Sequence, residues 1–464
     1  MRADELKYSA RQICSACRGE LIRGDAETVF SGVSTDSREI RNGDLFVPLR
    51  GDNFNGFDYV IPALRAGAGG SLLDNDFLHE LSNDLSNHVL IRVQDTLRSL
   101  TDLAASHRKL FPVPLIAVTG SSGKTTVKEM IASILSVSNR TLATKGNLNN
   151  LIGLPMTILS ISPQYTAAVV EAGINHTGEM ELLARAASPD VSVISTIGPV
   201  HLEGLKDLAT VAREKFRLIE AASTAGVIPC GIPELEALHG LYKGRLLTFG
   251  TDRGDFRASN ITSDDRTRFN MECPWGTLEV SIQIPGRHNI ENALAASASC
   301  LLLGSSMEDV ARGLESLKAP SWRMETVRLD KGRVLLKDYY NANPQSMKAA
   351  LETLVEFDQR SRKIAILGDM MELGEQSSRL HHEIGRLAAS LKIDRIIFIG
   401  EFANDFGSGF LNGNGSSQAL TVFSDKEAAW EAIKMELGAY DRILVKASRS
   451  MKMELIANRI LEEI

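Results

Sequence analysis

Short apolar runs alternate with segments of helical spacing along most of the chain, and that alternation predicts parallel sheets covered by helices. Pro114-Leu115-Ile116-Ala117-Val118 reads as a buried strand, and Val127 to Leu135 carries apolar residues at helical intervals. Further strands are expected at Ala167–Glu171 and Val191–Ile197, with helices at about 179–187 and 207–222 between and after them. Arg257–Ile284 alternates apolar and polar residues and predicts an antiparallel appendage, followed by a small-residue helix from Asn289 to Leu303.

The same pattern divides the chain. Before Phe111-Pro112-Val113-Pro114, a proline-broken linker, strands are expected at Gly43–Leu49 and His88–Val93. Helices are expected at Tyr59–Ala68 and Leu97–Leu110, with a polar loop at Arg50–Gly56. Beyond Ala319-Pro320-Ser321, strands at Val334–Lys337, Ile364–Leu367, Arg395–Ile399, Leu420–Phe423 and Arg442–Val445 alternate with helices at about 344–358, 378–391, 425–437 and 450–462. That is a doubly wound arrangement, with ligands expected at the carboxyl ends of its strands. The expected architecture is α/β in three domains: a small substrate module over residues 1–112, a central parallel-sheet nucleotide domain over 113–318 and a Rossmann-like domain over 319–464. Gly407-Ser408-Gly409 and Gly413–Ser417 are read as loop material.

Composition narrows the function classes. The 464 residues are 44% hydrophobic and 23% charged, ordinary for globular chains. Apolar runs fall short of the roughly 18 residues of a membrane span. Met1–Leu6 lacks the apolar core of a signal peptide, so a cytoplasmic location is expected. With net charge −7 and no basic cluster, nucleic acid is not an expected partner. Five scattered cysteines form no disulfide framework, and the Cys14–Cys17 pair has no second pair to complete a metal site.

Chemistry concentrates between the strand at 114–118 and the helix that follows. Thr119-Gly120-Ser121-Ser122-Gly123-Lys124-Thr125-Thr126 is a glycine loop whose backbone N–H groups can cradle phosphate, with Lys124 on the outer phosphates and the Thr125 hydroxyl available to Mg²⁺. Val118 stands where the common loop has its first glycine, so this is a shorter variant. Glu171 and His201 lie at or beyond strand ends, positions suited to a metal or phosphate. Lys215, by spacing, is a solvated helix lysine. Asp338 ends a strand and Tyr340-Asn341-Ala342-Asn343-Pro344 follows, a pattern equally suited to ligand recognition or to a turn and helix cap.

These motifs resemble the Mur ligase family, over nearly the whole chain. The resemblance rests on Thr119–Thr126, Gly146-Asn147-Leu148-Asn149-Asn150-Leu151-Ile152-Gly153-Leu154-Pro155 and Glu171–Asn175. It continues through Gly286-Arg287-His288-Asn289-Ile290-Glu291-Asn292-Ala293, Tyr340–Pro344, Gly368-Asp369-Met370-Met371-Glu372-Leu373-Gly374 and Val445-Lys446-Ala447-Ser448-Arg449-Ser450-Met451. Tyr340–Pro344 and Gly368–Gly374 are similar to the member that joins D-alanyl-D-alanine to UDP-N-acetylmuramoyl-tripeptide. The resemblance implies ATP-dependent amide formation through an acyl phosphate, by a monomeric enzyme of peptidoglycan synthesis. It implies ATP phosphates on Gly120, Ser121, Ser122, Gly123, Lys124, Thr125 and Thr126, adenine near Asn289 and Asn292, the γ-phosphate near Arg323 and ribose near Asp338. It implies two Mg²⁺ ions, one on Thr125 and Glu171, the other on His201 and a CO₂-derived carbamate of Lys215. It further implies nucleotide-sugar contacts at Ser37, Arg38 and Asn53, the acyl-phosphate site at Asn149 and Asn150, and dipeptide contacts at Tyr340, Asn341 and Asn343. Lys337-Asp338 stands where relatives often have two aspartates, Ala447 replaces a common glycine, and Arg213–Phe216 departs from the small residues usual around the carbamylated lysine. A folylpolyglutamate synthetase lacks the first hundred residues' module. A phosphotransferase to alcohols would not need the third unit or Tyr340–Pro344, and a nucleotide switch would need no amine or UDP-sugar dependence.

Overall fold

The computed structural model describes residues 2–51, 54–77, 88–263, 266–319, 321–356 and 360–463. At its centre is a six-stranded parallel sheet in the order Thr141–Ala143, Ala167–Glu171, Leu115–Thr119, Val191–Ile194, Ala225–Pro229, Leu246–Phe249. Its strands are continuous apolar runs because helices cover both faces. Ile116, Val118, Val169, Val193 and Val227 are all fully buried, each contributing about 1.5–3 kcal/mol. The first strand in sequence, Leu115–Thr119, lies in the middle: the chain goes to one side for Ala167–Glu171 and to the other for Val191–Ile194. Its carboxyl end is therefore a topological switch point, where such sheets open a crevice.

A second six-stranded sheet carries the C-terminal part, ordered Glu325–Arg328, Val334–Asp338, Arg442–Lys446, Lys363–Gly368, Arg395–Ile399, Leu420–Phe423. It is parallel except for its first edge strand. A mixed sheet at the N-terminal end orders Arg2–Ser9, Val29–Ser34, Asp44–Phe46, Gly70–Leu73, Val89–Arg92 and Glu20–Arg23. The helix Thr96–Leu110 buries Leu100, Leu103 and Ala104 in a core shared with Leu154, Ile158, Met180 and Leu183 of the central part. The antiparallel appendage forms as expected, from Arg257–Ser263, Thr267–Cys273 and Gly276–Ile282.

Several details differ from the sequence reading, the strands Arg2–Ser9, Glu20–Arg23, Gly70–Leu73 and Glu325–Arg328 among them. Gly407-Ser408-Gly409 lies inside a helix, Ala403–Asn412, not a loop. A Cβ on Gly409 would sit 1.9 Å from the His382 carbonyl oxygen, and one on Gly385 would sit 2.1 Å from that of Phe406. These glycines let the helices Ser377–Ser390 and Ala403–Asn412 approach backbone to backbone, a use that outweighs their poor helix propensity. The strand at Val191 stops at Ile194, because Ser195 to Gly198 turns under the glycine loop. The strands Thr141–Ala143 and Ala225–Pro229 had no distinct signal.

Candidate functional site

The glycine loop sits at the switch point. Gly120 (φ +149°) and Gly123 (φ +80°) hold backbone that L side chains rarely adopt. A Cβ on Gly120 would lie 2.0 Å from Ser195 Oγ, and one on Gly123 would lie 2.6 Å from Asn292 Oδ1. Gly123 also caps the helix Lys124–Leu135 without any side-chain bond to its first turn, leaving those N–H groups to an anion. Beneath the loop, Ser121 N–H donates to the Thr196 carbonyl (2.8 Å) and the Ser121 hydroxyl bridges Gly198 (2.9 Å).

The pairing Val118↔Glu171 carries the Glu171 carboxylate to the loop, where it is 2% exposed. Its oxygens accept from Thr125 Oγ1 (2.8 Å) and Asn149 Nδ2 (2.7 Å). Lys124 Nζ donates to the Gly120 carbonyl at 2.8 Å. Burial pushes the Lys124 ammonium down from its ordinary range, with Glu171 opposing and Arg323 adding to the push. Lys215 is 1% exposed on the inward face of the helix Leu208–Glu220, correcting its reading as a solvated residue. Burial lowers its pKa well below that of a free lysine, Lys124 adds to this, and Glu171 opposes it.

The C-terminal sheet closes the site. Trp322 (φ +61°) and Met324 (φ +52°), both left-handed, bracket Arg323, whose guanidinium lies 4.1 Å over the Tyr340 ring. Asp338 and Lys446 face each other across paired strands with Nζ 2.7 Å from Oδ2, and Lys446 also donates to the Asn341 carbonyl at 3.2 Å. Burial pushes the nearby His288 imidazole down to about 4, with Asp338 opposing and Lys446 adding to the shift. His201 (φ +49°) meets Glu372 (φ +63°) at 2.8 Å, and that partner holds the Glu372 carboxyl below its usual range despite partial burial.

Between these walls lies a cleft of about 640 Å³, lined from all three parts of the chain: Leu49 and Arg50, the loop from Ser121 to Thr126, and Arg323, Asp338 and Lys446. Two domain models match, the Mur ligase middle domain over residues 118–300 and the Mur ligase glutamate ligase domain over 322–449. The UDP-N-acetylmuramoyl-tripeptide–D-alanyl-D-alanine ligase of Bacillus subtilis is 35% identical over 98% of this chain and 99% of its own. That of Escherichia coli is 35% identical over 98% and 99%. The chain belongs to the Mur ligase family. A crystal structure of MurF from Acinetobacter baumannii matches with TM-score 0.89 at 31% identity, covering 98% of this chain and 99% of that one. MurF from Thermotoga maritima in complex with ADP matches with TM-score 0.81 at 27% identity, over 93% and 97%.

The Mur ligase cleft gathers most of the expected residues. Ser121, Ser122, Gly123, Lys124, Thr125, Thr126, Asn149, Asn150, Glu171, His201, Asn289, Asn292, Arg323, Asp338, Tyr340, Asn341 and Asn343 all line it. Lys215 lies buried beside it. Asn150 Oδ1 accepts from the N–H groups of Ile152 (3.1 Å) and Gly153 (2.9 Å), so its side chain serves first as a turn cap. Asn343 likewise caps, accepting from Ser346 N–H at 2.8 Å. Ser37 and Arg38 lie away from the cleft lining; Arg38 is bidentate to Asp36, its side chain 86% exposed. Asn53 lies outside the described residues. Sequence reasoning singled out neither Gln345, the neighbour of Pro344, nor Arg50, and gave no role to Glu372 or Lys446 within their motifs.

Among the described residues no three His, Cys, Asp or Glu side chains cluster as a preformed metal site. The Thr125 hydroxyl and Glu171 carboxylate still fit Mg²⁺, which takes few protein oxygens and completes its shell with phosphate and water. No helix among the described residues is long and apolar enough to cross a membrane.

Proposed function

We propose that this chain is an ATP-dependent ligase joining D-alanyl-D-alanine to UDP-N-acetylmuramoyl-tripeptide. The observation that carries the reading is the cleft in which a phosphate loop, a buried carboxylate and C-terminal cations meet Leu49 and Arg50 of the N-terminal part. It is supported by full-length relatives of that name and by the MurF structure in complex with ADP.

A carboxylate is a poor electrophile, and transfer of the γ-phosphoryl group to one of its oxygens supplies a leaving group. The P–O bond to ADP breaks as a P–O bond to the carboxylate forms. The amine of D-alanyl-D-alanine then attacks the acyl carbon. A C–N bond forms, the C–O bond to phosphate breaks and the amine gives up a proton. Both reacting partners of the first step are anions, so charge must be neutralised. Lys124 and the loop amides hold the phosphates, and Arg323 meets the transferring group. Asn289 and Asn292 flank the adenine, and Asp338 the ribose. Thr125 and Glu171 would hold one Mg²⁺, with His201 and a carbamylated Lys215 on the second, and the ions would neutralise phosphate charge.

The burial that depresses the Lys215 pKa supports the carbamate, because only a neutral amine adds CO₂ and the product is an anion suited to Mg²⁺. Asn149 and Asn150 take the acyl-phosphate end and Tyr340, Asn341 and Asn343 the dipeptide. Ser37, Arg38 and Asn53 take the nucleotide sugar. Residues 1–112, 113–318 and 319–464 divide this work as nucleotide-sugar, ATP and dipeptide domains. The reading takes the chain as a monomer acting in the cytoplasm. Phosphate release from ATP, assayed with and without each substrate, tests the reading: release should require both, and release that ignores them refutes it.

A further inference from the structure

Gln345 occupies the first turn of the helix Pro344–Glu356, on the C-terminal side of the cleft, yet its side chain reaches the central sheet. Its Nε2 donates to Thr196 Oγ1 at 2.9 Å. Thr196 belongs to the floor of the phosphate loop. Its carbonyl takes the Ser121 N–H (2.8 Å), its neighbour Ser195 donates to the carbonyls of Thr119 and Ser122, and Gly198 brackets the Ser121 hydroxyl. A Cβ on Gly198 would lie 2.6 Å from Gln345 Oε1, so the amide is pressed against this floor. No charged group takes part in the contact.

The other half of the amide is unused. Gln345 Oε1 is buried without a hydrogen-bond donor, and among the described residues it is the only such side-chain atom on a residue lining the cleft. Buried polar atoms in folded proteins are nearly always paired, and a tie that served packing alone would pair both ends. An amide that leaves its acceptor buried and unpaired in order to reach Thr196 is placed for that one contact.

We infer that Gln345 is a positioning residue for phosphoryl transfer. It seats the C-terminal sheet on the floor of the phosphate loop through Thr196. This deepens the ligase reading and rests on it. Misplacing reacting groups by about 1 Å can cost up to about a hundredfold in rate, so loss of the seat should lower turnover more than it lowers substrate affinity.

The test compares Gln345→Met, which keeps length and loses both amide functions, with Thr196→Val and the double variant. Each single change should lower kcat about tenfold, leave the KM for UDP-muramoyl-tripeptide within about twofold, and weaken ADP binding about threefold, the size of one hydrogen bond. The double variant should be no worse than either single, because both break one linkage. Unchanged kcat in Gln345→Met overturns the inference, as do losses that multiply in the double variant. Melting temperatures within a few degrees of wild type separate positioning from folding. A wild-type chain whose phosphate release ignores both substrates refutes the ligase reading alone. The calorimetric ADP arm then decides the inference by itself: equal, non-multiplying weakening supports it, and unaltered ADP affinity overturns it.

Discussion

Replacing Asp338 by alanine tests whether the cleft is held by a buried charge pair. Lys446 is 1% exposed and its Nζ lies 2.7 Å from Asp338 Oδ2, while the Asp338 side chain is 15% exposed. Removing one partner of a buried pair costs about 3–5 kcal/mol, because the remaining charge stays buried and uncompensated. Here the carbonyls of Asn341 (3.2 Å) and Asp338 (3.4 Å) remain as acceptors, so the cost should fall near the lower end, about 3 kcal/mol. The reverse change, Lys446→Met, leaves a carboxylate with some solvent and a Met324 N–H at 3.3 Å, and should cost about 2 kcal/mol. In the double variant no charge is stranded. Its loss should be about 3 kcal/mol, well short of the summed singles. Urea unfolding followed by tryptophan fluorescence reads this directly, since Trp322 and Trp430 pack in or against the core of the C-terminal sheet. A double variant whose loss equals the sum of the two singles would refute the coupling. On the ligase reading Asp338→Ala should also weaken ATP binding, since the pair fixes a strand end that lines the cleft.

Three other outcomes are expected. Gly120→Ala meets Ser195 Oγ at 2.0 Å in a backbone conformation that L residues avoid, so it should abolish ATP-dependent phosphate release and lower the melting temperature. His288, pushed from 6.5 to about 4, binds fewer protons folded than unfolded. Stability should therefore fall as pH drops from about 6.5 towards 4, by up to roughly 3 kcal/mol, and His288→Gln should flatten that slope in denaturation series across the window. Glu171→Gln removes the charge that Thr125 and Asn149 orient, and should raise the Mg²⁺ concentration for half-maximal turnover about tenfold or more; an unaltered Mg²⁺ titration would remove Glu171 from the metal site.

The phosphate loop was legible because its signal is local: an apolar strand, two glycines and a lysine leading into an amphipathic helix fix the turn with no help from distant residues. The doubly wound C-terminal sheet was legible for the same reason, since both of its faces are covered and its strands read as unbroken apolar runs. Gly407-Ser408-Gly409 misled, because Gly409 serves contact with another helix, which no local window contains. Lys215 misled in the same way: spacing puts a lysine on a helix, but only the packing of that helix against the central sheet decides whether it faces water. Gln345 and Glu372 are harder still. Each reaches a residue far away in sequence, and neither amide nor carboxylate carries a periodicity that could announce it.

The placement of Lys124 and Arg323 on opposite walls of the cleft suits it to a bridging anion. The chain carries net charge −7, yet Lys124, Arg323 and Lys446 converge on one cleft. Lys446 is neutralised internally by Asp338. Lys124 has only a backbone carbonyl and the carboxylate field of Glu171, and Arg323 from the C-terminal sheet makes its ammonium harder to keep. Lys124 and Arg323, on different parts of the chain, repel each other, and a bridging polyphosphate reverses the sign of that interaction. Nucleotide binding should therefore draw the two sheets together through charge. Neutral contacts such as the one between Gln345 and Thr196 then set where the approach stops. Charge supplies the attraction and fixed amide geometry supplies the register, so the first can be screened by salt while the second cannot.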